Sequence, residues 1–305
     1  MSEELERTGR ARRAAELALV RVCNHYGERP SFVLLGGLVP ALLCSDSDRL
    51  HAGTTDVEVQ VDLEIAGGAD HARRLEIALK NADFRPDSER VWRWETVQGG
   101  GYKAVIKFEL LADLDDQPQG ADIRFDNTDK LGAVNLRGTG YASRDYAPRT
   151  LVAYDQGAKI SAEVNVTGLA GFLLAKTAAA FGRHKPKDYY DIAFVLLHRN
   201  QLFDDVARPL EPADVVLQRL GRPAELRSAI DDLAANFADE HSQGVAAYVS
   251  QLLINNPGLD PAMSATDAQL AVGAFTTSVA ERTRGLTLGG HGPASHVISH
   301  VLPTL

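Results

Sequence analysis

Two carboxylates two residues apart, Asp56 and Glu58, open the run Asp56-Val57-Glu58-Val59-Gln60-Val61-Asp62-Leu63-Glu64-Ile65. Every odd position from Val57 to Ile65 is apolar, and every even position from Asp56 to Glu64 is polar. This alternation predicts a half-buried strand that carries Asp56 and Glu58 on one face, roughly 7 Å apart. Carboxylates so spaced can hold a hard divalent cation, and Mg2+ favours one or two of them together with phosphate oxygens. Upstream, the apolar run Phe32-Val33-Leu34-Leu35 ends in Gly36-Gly37. Glycine lets backbone N–H groups come close to a phosphate, and a helix N-terminus is expected to follow. An antiparallel strand with one solvated face alternates in the same way, however, and Asp62 and Glu64 carry the acidic row past any single metal ion.

A third carboxylate lies further along. In the strand expected over 102–114, Ala104, Ile106, Phe108 and Leu110 form the apolar face, and Glu109 stands on the other with Lys107 and Asp113. Glu109 is either a site carboxylate or an outward glutamate neutralised by Lys107, with Asp113 its rival two positions on. The helix expected over 168–181 is nearly all apolar apart from Lys176. An ammonium in such a setting needs an anionic partner to offset its desolvation. Asp188 and Asp191 open the next helix, where carboxylates suit the helix dipole in any case. Lys176 is therefore either a ligand for a bound anion or one half of a structural ion pair with Asp188 or Asp191. Trp92 and Trp94 share a strand face and read as core packing ahead of base stacking. His296 and His300, with His291 upstream, have metal-like spacing but no carboxylate or cysteine beside them. Ser161 and Ser242 lack the context of a nucleophile.

The elements that must position these residues follow from periodicity and breakers. A helix is expected from Ser2 to about His25, ahead of Gly27 and Pro30. A strand at 32–35, a short helix at 38–43 and a polar loop at 45–55 lead to the carboxylate strand. A helix follows over 69–83, then strands near 91–94 and 102–114. Residues 115–148 look loop-rich with weak strands near 121–125 and 150–154, and a last strand runs over 159–166. From Thr167 the pattern turns helical. We therefore expect an α/β domain over 1–166, a mixed sheet flanked by helices, and an all-helical domain over 167–305. The chain is 305 residues, 45% apolar and 24% charged, which suits a folded, cytoplasmic protein with no membrane segment. Cys23 and Cys44 lack metal spacing and read as small core residues. Arg10, Arg12 and Arg13 read as a solvated helix face. The net charge of −9 speaks against a broad nucleic-acid-binding surface, though not against a local basic path.

Taken together, Gly36-Gly37, Thr54-Thr55-Asp56-Val57-Glu58, Glu109, Lys176 and Asp188-Tyr189-Tyr190-Asp191 resemble the nucleotidyltransferase fold of DNA polymerase β. More closely, they resemble the AbiEii/AbiGii-type toxin family of bacterial toxin–antitoxin systems. The resemblance covers about residues 30 to 197 and departs from the pattern in three places. Glu58 stands where the second metal carboxylate is usually Asp. Ala52 stands where an arginine is common, with Arg49 or His51 as substitutes. The third carboxylate, Glu109, sits in a weak motif.

The resemblance implies transfer of an NMP from an NTP to a hydroxyl. Asp56, Glu58 and Glu109 would hold Mg2+ or Mn2+, and Glu109 would also handle the acceptor proton. Gly36, Gly37, Thr54 and Thr55 would contact the nucleotide. Lys176 would neutralise the triphosphate, positioned by Asp188 or Asp191. The acceptor would be RNA, with tRNA a candidate, and an antitoxin protein the partner. A small-molecule transferase, such as one that modifies antibiotics, is the first alternative. A non-catalytic nucleotide-binding module is the second.

Overall fold

The computed structural model describes residues 8–61, 69–98, 104–199 and 223–286. Nine strands make one mixed sheet in the order β3-β4-β5-β2-β1-β9-β8, with β7 also on β5 and β6 on β7. These are β1 (Val33–Leu35), β2 (Asp56–Gln60), β3 (Arg85–Pro86), β4 (Arg93–Gln98), β5 (Ala104–Ala112), β6 (Asp122–Arg124), β7 (Gly132–Asn135), β8 (Tyr146–Asp155) and β9 (Ala158–Thr167). Helices α1 (Gly9–Tyr26), α2 (Val39–Leu43) and α3 (Ala69–Asn81) belong to the first half. Helices α4 (Leu169–Arg183), α5 (Pro186–His198), α6 (Pro223–Ala235), α7 (Gln243–Asn255) and α8 (Pro261–Leu286) follow the last strand. The expected α/β half followed by a helical half is the architecture found. None of the described helices is long and apolar enough to cross a membrane.

β2 is central, antiparallel to β1 and parallel to β5. This placement corrects one expectation. Val57, Glu58, Val59, Gln60 and Val61 are all buried, so the alternating strand is covered on both faces rather than half-solvated. Alternation reports that the two faces differ in chemistry; here Asp56 and Glu58 on the polar one line a cavity, and Gln60 is buried beyond them. Asp62 to Ile65 lie outside the described residues.

Local signals account for most other boundaries. Thr8 caps α1 by accepting from the Ala11 N–H at 3.2 Å, and Gly27 ends it with φ +88. Ser2 to Glu6 lie outside the described residues. The stretch at 150–154 belongs to a long hairpin, β8 with β9, closed by Gln156-Gly157, both at positive φ as a tight hairpin turn demands. Of the two tryptophans, Trp94 is fully buried in the main core, whereas Trp92 precedes β4 and packs beside a second cluster that includes Leu111 and Val134. They do not share an environment, because the strand starts only at Arg93. Cys23 and Cys44 are buried free thiols, each pushed up to about 12 by burial.

Candidate active site

The sheet register places the carboxylates side by side. β2 and β5 run parallel with Asp56 opposite Lys107 and Glu58 opposite Glu109, and antiparallel β4 sets Arg93 opposite Glu109. Asp56, Glu58, Glu109, Gly36 and Lys176 all line one cavity of about 420 Å3. Gly36 has φ +78, and a Cβ there would overlap the Glu58 carboxylate and stand 2.9 Å from the Glu58 Cβ. The glycine is required because Glu58 occupies the space a side chain would fill. Thr54 Oγ1 accepts the Asp56 N–H at 3.0 Å and so fixes the start of β2.

Electrostatics at the carboxylates are unbalanced. Asp56 has Lys107 and Lys187 Nζ each 3.7 Å away, beyond hydrogen-bond range, and its Oδ1 is buried with no hydrogen bond among the described residues. Glu109 is paired with Arg93, at 2.8 Å to Nε and 2.6 Å to Nη2. Burial, then Glu58 and Asp56, raise its carboxyl to about 7 despite that arginine. A cation held among these groups would relieve both the orphaned oxygen and the like-charge crowding. Asp56 and Glu58 fit a Mg2+ that takes one or two carboxylates and completes its shell with phosphate and water. Among the described residues, however, no three His, Cys, Asp or Glu side chains are arranged to hold one ion. Glu109, bound to Arg93, stands beside the pair rather than completing a three-carboxylate cage.

Beneath the cavity lies a buried ionic network. Lys176 Nζ is 3.1 Å from Asp188 Oδ1 and 2.9 Å from Asp191 Oδ2, and all three side chains are nearly inaccessible. Arg183 donates to both oxygens of Asp188 at 2.7 and 2.8 Å, and His51 Nε2 lies 3.1 Å from Asp191 Oδ1. Burial alone would depress the Lys176 ammonium, but Asp191, Asp188 and Glu58 hold it above its ordinary value. Burial likewise opposes ionisation of Asp188, and Lys176 and Arg183 outweigh it, so that carboxyl sits below its usual range. Of the two roles open to Lys176, the ion pair is the one present, and it links to both aspartates.

Several expected contacts are not at the cavity wall. Gly37, Thr54, Thr55, Asp188 and Asp191 are buried beside or beneath it, and the five-residue α2 is too short to offer much of a dipole. His51 is committed to Asp191, and Arg49 approaches Asp48 at 3.6 Å, so neither stands in for the arginine absent at Ala52. Asp113 accepts from the N–H groups of Gly138 and Gly140 at 2.9 and 3.2 Å, tying down the turn that follows β7. This leaves Glu109 as the β5 carboxylate beside Asp56 and Glu58. His291, His296 and His300 lie outside the described residues.

Sequence reasoning missed the cations Arg93, Arg137, Arg183, Lys185 and Lys187 at the wall, and it set Lys107 against Glu109, whereas Glu109 is paired with Arg93 and Lys107 approaches Asp56. Lys107 sits on the same strand face as Glu109, a signal visible in the alternation. Arg183, Lys185 and Lys187 form a visible basic run between two helices, but only the fold turns that run toward β2. Arg93 and Arg137 leave no such trace.

No family model matches the chain, and no curated protein does. Among solved structures, one from H. pylori described as a "putative nucleotidyltransferase" is similar over 95% of this chain and 100% of that one. The identity is 13% and the TM-score 0.44, too loose a likeness to carry residues or activity across.

Proposed function

We propose that the chain transfers a nucleoside monophosphate from an NTP to a hydroxyl group, with Mg2+ or Mn2+ as cofactor. One observation carries the reading: Asp56, Glu58 and Glu109 stand in register across β2 and β5, in a cavity rimmed by cations, with Asp56 Oδ1 buried and unbonded. A bound divalent ion would supply charge neutralisation at the phosphate and attacking oxygens. Asp56 and Glu58 would hold it. The acceptor oxygen bonds to the α-phosphorus as the bond to the bridging oxygen of the β-phosphate breaks, and pyrophosphate leaves with that electron pair. Glu109, raised to about 7, would take the acceptor proton near neutral pH. Lys107 and Lys187, near Asp56 yet too far to bond it, would turn to the triphosphate oxygens. Lys176 would act from below, its charge compensating Glu58 while Asp188 and Asp191 hold it in place.

We extend the proposal to an RNA acceptor, tRNA among the candidates. Lys185 and Lys187 at the wall support this, as a local positive path on a chain of net charge −9, whereas Arg183 and Arg137 are taken up by Asp188 and by Asp115 with Asp113. A toxin held by an antitoxin protein is the setting that the resemblance implies. The test is incubation of the full chain with each α-labelled NTP, Mg2+ and total RNA. Label on RNA, lost in Asp56→Asn, is expected. Label on a low-molecular-weight compound would replace the RNA acceptor with a small one. No transfer to anything, from a protein that binds NTP, would overturn the catalytic reading in favour of a binding module.

A further inference from the structure

The cavity has two chemically distinct ends, and only one is accounted for above. Along β5 the side chains facing the cavity run Lys107, Glu109, Leu111, from charged to apolar over about 13 Å. Around Leu111 the wall is Val134, Leu136 and Trp92. Trp92 is half-buried, and the guanidiniums of Arg93 and Arg90 stand 4.9 and 5.8 Å from its ring centroid. Its position is fixed by the Trp92 C=O, which accepts the Leu110 N–H at 2.9 Å. Gln119 lines the same end, where its Oε1 accepts the Arg137 N–H at 2.8 Å. That bond leaves the Gln119 amide NH2 as the group offered to a ligand.

We infer that this end is a base subsite, in which Trp92 stacks the base of the nucleotide and Gln119 donates to an acceptor on its edge. The inference rests on the nucleotidyl-transfer reading for the class of ligand. Its own basis is the polarity of the cavity: a phosphate chain suits the Lys107 end, and an aromatic, hydrogen-bonding ring suits the Trp92 end. Arg90 is exposed and approaches Asp87 at 3.8 Å, so it can yield the ring to a base, whereas Arg93 is tied to Glu109.

Tryptophan fluorescence tests this, because the chain has two tryptophans and Trp94 is fully buried. Quenching by each NTP is read on the parent, and the affinities of parent and variants for each NTP and, separately, for inorganic tripolyphosphate are read by calorimetric titration of the full chain, all with Mg2+. We expect NTP to quench and to bind more tightly than tripolyphosphate. Trp92→Leu, which keeps an apolar side chain, should weaken NTP binding about 5- to 150-fold and leave tripolyphosphate binding unchanged. Trp92→Phe should retain most of the NTP affinity and shows that the site is intact. Equal binding of NTP and tripolyphosphate, with Trp92→Leu like the parent, would overturn the subsite and leave the transfer reading standing. Tight, Trp92-dependent NTP binding without transfer to any acceptor would do the reverse. Failure of every NTP to bind would overturn both.

Discussion

At Asp56 the side chain has cations near it, yet its buried Oδ1 takes no hydrogen bond among the described residues, a poor structural arrangement and a good one for a ligand. Asp56→Asn should abolish transfer while leaving the melting temperature unchanged or raised; a lower melting temperature with activity kept would sink the metal role. Glu109 and Asp113, two positions apart on one strand, separate by partner. Glu109→Gln should lower turnover by roughly 10^2- to 10^4-fold, the usual worth of a proton-handling group. Asp113→Asn should cost about 1 kcal/mol of stability through its turn hydrogen bonds and spare turnover. Glu109 also sets a pH dependence. Its carboxyl is raised in the folded protein from 4.5 to about 7, so the folded state binds the extra proton in that window. The stabilisation is therefore complete below about 4.5 and lost as pH rises through about 7. Glu109→Gln should accordingly melt above the parent at pH 8 and level with it at pH 4, read by paired thermal melts. Mg2+ should raise the parent's melting temperature more at pH 8 than at pH 5. Lys176→Ala removes the ammonium that compensates two buried carboxylates and should cost on the order of 3–5 kcal/mol. An unchanged melting temperature with weakened NTP binding would instead make Lys176 a phosphate ligand.

At the level of elements, the site is a matter of register. β2 and β5 lie parallel, so two residues far apart in sequence, Glu58 and Glu109, meet only because the strands are not slipped by one. Gly36→Ala tests the approach of the β1 turn to β2. The methyl group would strain a backbone at φ +78 and displace the Glu58 carboxylate, so both stability and transfer should fall. Wild-type activity would show that Glu58 is not needed where it stands. Much at this level was legible in advance: the period-two runs marked β2 and the apolar face of β5, and the lone charge of an apolar helix marked Lys176. Pairing was not legible. Periodicity gives the two faces of a strand but not its neighbours, so the burial of Glu58 and Gln60, and the partnership of Glu109 with Arg93, could not be read from it. The ion pair of Lys176 with Asp188 or Asp191 was one of two readings open in the sequence; that both acids share the lysine, with Arg183 and His51 joining them, was not legible, since acids at a helix start are ordinary in themselves.

Over the whole molecule, acidity and a basic cavity coexist. With a net charge of −9, long-range attraction for polyanions is absent, and binding must rest on the few lysines and arginines at the wall. Lys185→Glu with Lys187→Glu should therefore weaken any RNA acceptor by tenfold or more at low salt, measured by filter binding, while leaving the melting temperature within a degree or two. The α5 helix has a further consequence. Its first two turns hold Asp188 and Asp191 against Lys176 and His51, and its Tyr190 Oη accepts the Ala52 N–H at 2.8 Å from the loop that feeds β2. The same helix packs Tyr190 on Tyr248 of α7, and Tyr189 on Phe237 beyond α6. Lys176 and its two aspartates all belong to α4 and α5, so parting sheet from helices would break the His51–Asp191 and Tyr190–Ala52 bonds and strip Glu58 of the Lys176 charge that compensates it. Sheet and helices should then unfold as one cooperative unit: a single calorimetric transition, with Trp94 emission and helical ellipticity lost together. A fragment ending at 166 would not be a working half but a sheet with Glu58 left uncompensated.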